Sequence, residues 1–410
     1  MVYQTNLTYR MNFDNLKKHS FEMGPIRPPS EGKDLSLLIR TTRNCPWNRC
    51  LFCSTYKDNK FEYRLVAEIK EDIDVAKFLH DEIKAASQKL GLAGKVSNEL
   101  IRAIVQGNPE IYHNHDELPL QNLFNVANWI SSGAKTVFLQ DADTMIMRTP
   151  ELVQVIKYLK ETFPTLNRVT SYARAKTCSK KTLQELKDLH QAGLSRLHIG
   201  LESGNDQVLD FMQKGVNQEQ HISGGKKVVK SGISLSEYIM PGLGGRKWSE
   251  AHALESAKAL SEINPDFIRL RSLIVRKNSS LFAKCQEGEF EPLSEDELVD
   301  EIKLFIENLN CTSFVTSDQM SNLLFEVEGQ LPEDKEKILG RIGKYRQKTP
   351  MEKLEFRLNR RLRSYLGVHG VMNQELNQKV SEAFQSIQEE SPEAELKTNQ
   401  AILALKESFI

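Results

Sequence analysis

The chain has 410 residues and a mass of 46.8 kDa, and its 55 basic and 55 acidic side chains cancel. A hydrophobic fraction of 40% with 27% charged residues is globular composition and excludes wholesale disorder. No apolar run approaches the roughly 18–20 residues of a membrane span. The first twenty residues, MVYQTNLTYRMNFDNLKKHS, lack the apolar block of a signal peptide. A cytoplasmic protein is therefore expected, without a membrane partner, and zero net charge gives no global reason to expect nucleic acid.

After an N-terminal extension (1–33), a strand is expected over 35–40 (LSLLIR). About 100 residues separate it from the next strand, room for a long helix (64–89) and a helical insertion (about 91–131). Strand-like runs then recur at 135–140, 167–172, 196–201, 234–240 and 267–272, with starts 29 to 38 residues apart. That is the rhythm of βα units on a parallel sheet. Between them, 182–192 carries Leu183, Leu186 and Leu189 at helical spacing. It opens on a Thr182/Glu185 capping box and stops at Gly193. Ser294 and Glu297 open another helix at 294–309. Six βα units are too few for an eight-stranded barrel. The expected fold is α/β, a partial (β/α)6 barrel of parallel strands over 34–310 with a helical C-terminal region over 311–410. Such folds place their chemistry at the C-terminal strand ends.

Three of the six cysteines crowd into nine residues directly after the first strand, Arg43-Asn44-Cys45-Pro46-Trp47-Asn48-Arg49-Cys50-Leu51-Phe52-Cys53. Clustered thiols in a chain of this length point to a metal or redox site rather than a disulfide framework. Plant-type ferredoxin spacing would need a fourth cysteine, and the nearest, Cys178, lies in a separate βα unit. Zinc would also need a fourth ligand, with His80 or the His113/His115 pair as candidates. Three cysteines without a fourth make sense if one iron stays open.

In this the loop resembles the radical SAM superfamily. The family holds a [4Fe-4S] cluster on three loop cysteines and lets S-adenosylmethionine (SAM) chelate the fourth iron. The resemblance assigns Cys45, Cys50 and Cys53 as metal ligands and Phe52 as the aromatic residue that usually precedes the last cysteine. One extra residue between Cys45 and Cys50, relative to the family's C-x3-C-x2-C, implies a bulge at Pro46-Trp47. Further matches follow the strands. Gln140-Asp141-Ala142-Asp143 stands where the family shows Gly-Gly-Glu near the methionine amino group, so Asp141 and Asp143 are candidate SAM ligands through charge-assisted bonds. Ser171-Tyr172-Ala173-Arg174 and Gly200-Leu201-Glu202-Ser203-Gly204 resemble the subgroup containing methylthiotransferases and the elongator catalytic subunit. By that resemblance Ser171 and Arg174 border the cofactor, Arg174 meeting the SAM carboxylate, and Glu202 meets its ribose or methionine moiety. Gly242 and Gly244, in Pro241-Gly242-Leu243-Gly244-Gly245, would let backbone approach adenine. The implied chemistry is one-electron reductive cleavage of SAM to a 5′-deoxyadenosyl radical that abstracts hydrogen from a substrate. The implied partner is a one-electron donor such as a flavodoxin or ferredoxin.

Strand parity adds an independent reading. Leu197, Ile199 and Leu201 share one face of the fourth strand, and His198, Gly200 and Glu202 the other. Arg269 and Arg271 share a face of the sixth strand, so a charged lumen is expected. With Arg174 on the SAM carboxylate and Glu202 on one arginine, one positive charge is left over. That predicts an anionic substrate held by Arg269 or Arg271. A structural Glu202–Arg271 ion pair is the competing reading. The segment 340–363 holds nine Lys/Arg against two acids, and is read as a solvated basic helix rather than an RNA contact. The alternatives to a radical SAM enzyme are a non-catalytic iron–sulfur or zinc protein and, within the class, an RNA-modifying enzyme.

Overall fold

The computed structural model describes residues 8–14, 16–28, 36–113 and 116–407; His115 lies outside them. Ten strands follow in chain order: β1 (Leu37–Arg40), β2 (Thr42–Arg43), β3 (Glu62–Tyr63), β4 (Thr136–Gln140), β5 (Arg168–Ala173), β6 (Leu194–Glu202), β7 (Ser234–Ile239), β8 (Phe267–Leu270), β9 (Phe314–Thr316) and β10 (Gly329–Gln330). All six expected strands are present, and parallel strands alternate with helices, so the class is α/β as expected. The chain divides into two compact units. One holds residues 1–48, 55–199 and 227–235, and the other 49–54, 200–226 and 236–410.

In the first unit β1, β4, β5 and β6 pair in parallel, through Leu37↔Val137, Val137↔Val169 and Val169↔Leu194. Val137, Phe138 and Leu139 are fully buried, as expected of a parallel strand covered on both faces. The helix Val66–Lys89 turns Ile69, Ile73, Leu79 and Ile83 inward. The helix Leu183–Ala192 carries the expected capping box and ends on Gly193 at φ 120°. The insertion forms the helices Asn98–Gly107, Pro109–Tyr112 and Leu118–Ser131. It works through buried side-chain amides. Asn122 bonds both backbone groups of Phe21, and Asn125 bonds Leu38 N and Ser36 O. Asn108 does the same for Met11 N and Tyr9 O. Each amide satisfies backbone groups that an unpaired segment would otherwise bury at a cost.

In the second unit β7, β8 and β9 pair in parallel and β10 runs antiparallel to β9. The segment expected to be helical after 310 thus also supplies two strands. They are three and two residues long, too short for alternation to show. Four helices follow, Lys335–Arg346, Pro350–His369, Gln374–Gln388 and Ala394–Glu407, and Leu358, Ala383, Ala401 and Leu405 form part of their core. Several arginines of the basic segment are fastened internally. Arg361 is fully buried, with both carboxylate oxygens of Glu295 at 2.9 Å and the carbonyls of Ser321 and Asn322 at 2.9 Å. Arg357 pairs with Asp296 and donates to the Tyr345 hydroxyl, while Arg360 pairs with Glu326. Burial raises the Glu295 acid, but the charges of Lys406 and Arg361 outweigh it and hold the carboxyl down at about 2.

Candidate active site

In the first unit, Cys45 follows β2 on a segment bent by two left-handed asparagines, Asn44 (φ 67°) and Asn48 (φ 49°), a conformation Asn tolerates better than most residues. The bend occupies Pro46-Trp47, where a bulge was expected. Asn48 N–H points at Cys45 Sγ (3.4 Å). Asp141 lies fully buried beneath this segment. Its Oδ2 accepts from Arg40 Nε (2.7 Å) and Asn44 N–H (3.1 Å), and its Oδ1 from the Tyr56 hydroxyl (2.8 Å). A Cβ on Gly24 would come within 2.1 Å of Oδ1. Asp141 was expected to meet SAM; instead its carboxylate is engaged by the chain and braces the backbone one residue before Cys45.

Asp143 is corrected in the same way. It is fully buried, accepts from Arg174 N–H (3.1 Å) and the Thr177 hydroxyl (2.5 Å), and burial pushes its acid up to about 6. It therefore fixes the backbone of Arg174 at the start of the helix Ala175–Lys180. Ser171 also departs from expectation: its hydroxyl donates to Leu139 O (2.9 Å) inside the sheet. Arg174 is half-buried, and its guanidinium lies 5.1 Å from the centre of the Trp47 ring, with Lys176 Nζ 5.7 Å from the same ring, within cation–π range. The unit thus brings the Cys45 segment and the end of β5 together. Trp47 went unassigned in the sequence reading, although a large aromatic residue between two cysteines was a visible signal.

In the second unit, the turn bearing Cys50 and Cys53 is anchored at Leu51. Its N–H donates to Met212 O (3.0 Å) and its carbonyl accepts from Leu281 N–H (2.9 Å). Its side chain is buried with Val208, Met212 and Leu281, and Phe52 packs on the same cluster. Lys214 Nζ stands 5.7 Å from the Phe52 ring centre and 3.3 Å from Glu202 Oε1. Lys214 therefore partners Glu202, where Arg271 had been considered. Glu202 adopts φ 63° at the end of β6, a costly conformation for a non-glycine residue. Its Oε2 is buried and accepts no hydrogen bond from the chain. A Cβ on Gly200 would meet Glu202 Oε1 at 2.1 Å, which accounts for that glycine.

Glu237 was missed. It is fully buried, and burial first and the neighbouring Glu202 second push its acid well above the usual range. A lone carboxyl inside the apolar run of β7 was the available signal. Arg276 was also missed; it is half-buried, and its guanidinium interacts electrostatically with Arg271 and Cys53.

Gly242 (φ 87°) donates its N–H to Glu301 Oε1 (2.6 Å), and a Cβ on Gly244 would strike the Trp248 backbone at 2.9 Å. Both glycines thus have internal reasons to be glycine. Arg269 is buried and pairs with Asp318 at 2.6 Å, so it is not the uncompensated charge that was expected. Arg271 is exposed.

The donor set suits an iron–sulfur cluster better than zinc. Cys45, Cys50 and Cys53 are free and partly exposed, whereas Cys178 is buried. Among the described residues no three His, Cys, Asp or Glu side chains are grouped to hold one metal ion, as zinc requires. A polynuclear cluster needs one thiolate per iron, so its ligands do not converge on a single point. His80, a candidate fourth zinc ligand, directs Nδ1 at Asp81 (2.9 Å) and packs against Trp129 and Phe163. The orphaned Glu202 Oε2 is a ready acceptor for a cofactor hydroxyl or ammonium.

Residues 105–257 match the radical SAM superfamily. The chain carries a radical SAM domain. The matched span includes Asp141, Asp143, Ser171, Arg174, Glu202, Gly242 and Gly244 and begins downstream of the three cysteines. The domain is 24% identical over 126 residues to a tRNA uridine(34) acetyltransferase of Methanocaldococcus infernus, covering 30% of this chain and 23% of that protein. A protein of the same description from Methanocaldococcus jannaschii is 22% identical over 118 residues, covering 28% of this chain and 22% of its own. The chain thus spans less than a quarter of these curated relatives. Among solved structures, the archaeal Elp3 of Methanocaldococcus infernus with its N-terminus deleted overlaps 63% of this chain and 61% of its own, at 15% identity and a TM-score of 0.40. Methylornithine synthase overlaps 75% and 70%, at 12% identity and a TM-score of 0.37. Among the described residues no helix is long and apolar enough to cross a membrane.

Proposed function

We propose that the chain is a radical SAM enzyme that binds a [4Fe-4S] cluster through Cys45, Cys50 and Cys53 and SAM beside it. The observation that carries this reading is the triplet of free thiols on a loop fastened at both ends. Asn44 N–H is tied to Asp141 before the first cysteine, and Leu51 is tied by two backbone bonds between the other two. When bound, the cluster and SAM supply one-electron cleavage to a 5′-deoxyadenosyl radical that takes hydrogen from a substrate.

The protein's part is placement. Asp141 and Asp143 act through the backbone, the first holding the Cys45 segment and the second setting the start of the helix that carries Arg174. Arg174 offers a guanidinium to the SAM carboxylate. Glu202 offers Oε2 to a hydroxyl or the ammonium, and Lys214 balances its charge. Glu237, kept neutral by burial, adds no second negative charge beside Glu202. Gly242 and Gly244 line the turn proposed to border adenine.

The substrate is not assigned. Pairing with Asp318 removes the charge argument from Arg269 and leaves the exposed Arg271 as the candidate for an anionic group. An RNA substrate is a second reading, carried only by the tRNA-directed names of the two relatives, because arginines of the 340–363 segment are engaged internally. The test is anaerobic reconstitution followed by SAM and dithionite. Four irons per chain and SAM-dependent 5′-deoxyadenosine support the enzyme; one zinc, or iron without SAM cleavage, would defeat it.

A further inference from the structure

The segment from 55 to 65 is a strap sewn to the chain around Cys45. Asn44 Nδ2 donates to Lys60 O (2.6 Å), Asn48 Nδ2 donates to Tyr56 O, and Lys57 Nζ donates to Asn48 O (3.3 Å). Its end pairs as β3 with β2, through Thr42↔Tyr63 and Arg43↔Glu62. Along this extended run the side chains alternate. Arg64 turns inward to Asp72 at 2.6 Å and is 4% exposed, and Glu62 is tied to Arg43. The other face carries Phe61, Tyr63 and Leu65. The Phe61 and Tyr63 rings meet edge to face at 4.9 Å, yet Tyr63 remains 61% and Leu65 69% exposed. Single exposed hydrophobics are ordinary. Three on one face of a strap, beside exposed Lys60 and half-exposed Lys57, make an apolar patch with a basic border. The patch is anchored to the residues immediately before and shortly after a proposed cluster ligand.

We propose that this face, centred on Tyr63 and Leu65 with Lys60 at its border, is the docking surface for an acidic flavoprotein electron donor. The inference rests on the radical SAM reading, since that chemistry consumes an electron the chain cannot generate. One electron leaves the donor's reduced flavin and enters the cluster, and no atoms change hands. A carrier must approach the cluster closely and then leave, which suits a small apolar contact steered by charge rather than a large permanent interface. The basic border selects a negatively charged partner, and the strap offers it a short covalent and hydrogen-bonded route to Cys45.

The experiment uses the full chain, reconstituted anaerobically, with a flavodoxin as the probe. Wild type, Tyr63→Ser/Leu65→Ser and Lys60→Glu are compared in two measurements: the dissociation constant for oxidised flavodoxin at several salt concentrations, and 5′-deoxyadenosine formation driven by dithionite or by reduced flavodoxin. The expected result is flavodoxin binding weakened about tenfold or more in both variants, with a shallower salt dependence in Lys60→Glu. Flavodoxin-driven cleavage should fall accordingly, and dithionite-driven cleavage should stay within about twofold of wild type. The docking proposal is overturned if wild type does not bind flavodoxin or if both variants bind it like wild type. It is equally overturned if the variants lose dithionite-driven activity in parallel, or if sedimentation shows that they dissolve a dimer, the face then belonging to a second copy of the chain. Failure of the radical SAM reading looks different: wild type then makes no 5′-deoxyadenosine with dithionite, whatever its affinity for flavodoxin.

Discussion

Glu301 offers a test that needs neither cofactor nor substrate. It sits on the helix Glu295–Asn308, is 5% exposed, and takes the Gly242 N–H on Oε1 and the Ser249 hydroxyl on Oε2, both at 2.6 Å. Burial nevertheless dominates and pushes its acid from 4.5 up to about 7. Because this carboxyl is raised, the folded chain keeps a proton that the unfolded chain releases above pH 4.5. Its contribution to stability is therefore full below pH 4.5 and is lost as pH climbs through about 7. At about 1.4 kcal/mol per pH unit, wild type should lose on the order of 3 kcal/mol across that window through this group. Glu301→Gln removes the titration while keeping one acceptor. His252, 3.7 Å away and pushed down to about 4 by burial, is present in both proteins and drops out of their difference. Urea unfolding of the two proteins from pH 4.5 to 8 at fixed ionic strength measures that difference. The stability of Glu301→Gln relative to wild type should rise by about 3 kcal/mol up to pH 7 and then level off. A difference that is flat with pH, or that falls as pH rises, would show that Glu301 ionises normally and that burial does not govern it.

Replacing Cys45, Cys50 or Cys53 by Ala should abolish bound iron after anaerobic reconstitution, whereas the combined Cys178, Cys285 and Cys311 replacement should retain it; iron analysis on folded protein decides. Arg174→Ala should weaken SAM binding by ten- to a hundredfold, the loss of a charged hydrogen bond worth roughly 1.5–3 kcal/mol, with the iron content unchanged. An unaltered SAM dissociation constant would take Arg174 out of the site. Arg361→Met should destabilise the second unit by about 3–5 kcal/mol, because it strips a buried ion pair and two carbonyl partners from one residue, and denaturant unfolding at pH 7 would register it. A loss under 1 kcal/mol would mean that Lys406 alone suffices to hold Glu295.

The parallel strands were legible because their local chemistry is complete within each segment. β4 reads as a continuous apolar run, and the helix Leu183–Ala192 declares its start with Thr182/Glu185 and its end with Gly193. β9 and β10 were not legible, since alternation cannot establish itself in three or two residues and their order comes from pairing with distant chain. The site divides along the same line. That carboxylates follow β4 could be read from Asp141 and Asp143. Which donors face them could not, because Arg40 and Tyr56 reach Asp141 from 101 and 85 residues away. Sequence proximity to a cysteine loop is also a poor guide to direct contact with a cofactor. Both acids end on backbone amides, one beside Cys45 and one at Arg174, where they shape what the neighbouring residues present.

The arginines of β8 show why charge balance is harder to read than direction. Parity on a strand is local, and it put Tyr238 opposite Arg269 in register without knowledge of any other element. Neutrality is a sum over everything that reaches the same space. The acid that closes the sum for Arg269 is Asp318, 49 residues on and beyond the short β9 that sequence could not reveal. The cation that closes it for Glu202 is Lys214, in the segment after the helix Asp206–Phe211 rather than on a facing strand. Each unforeseen partner lies on a connection, where backbone direction has no period to betray it. A leftover charge counted from strands alone is therefore an upper bound, and Arg271, exposed and just past the end of β8, is the residue on which an anionic-substrate argument still stands. Arg271→Lys keeps the charge and loses the planar fork. If it couples SAM cleavage to substrate turnover as well as wild type does, that last arginine needs no anion either.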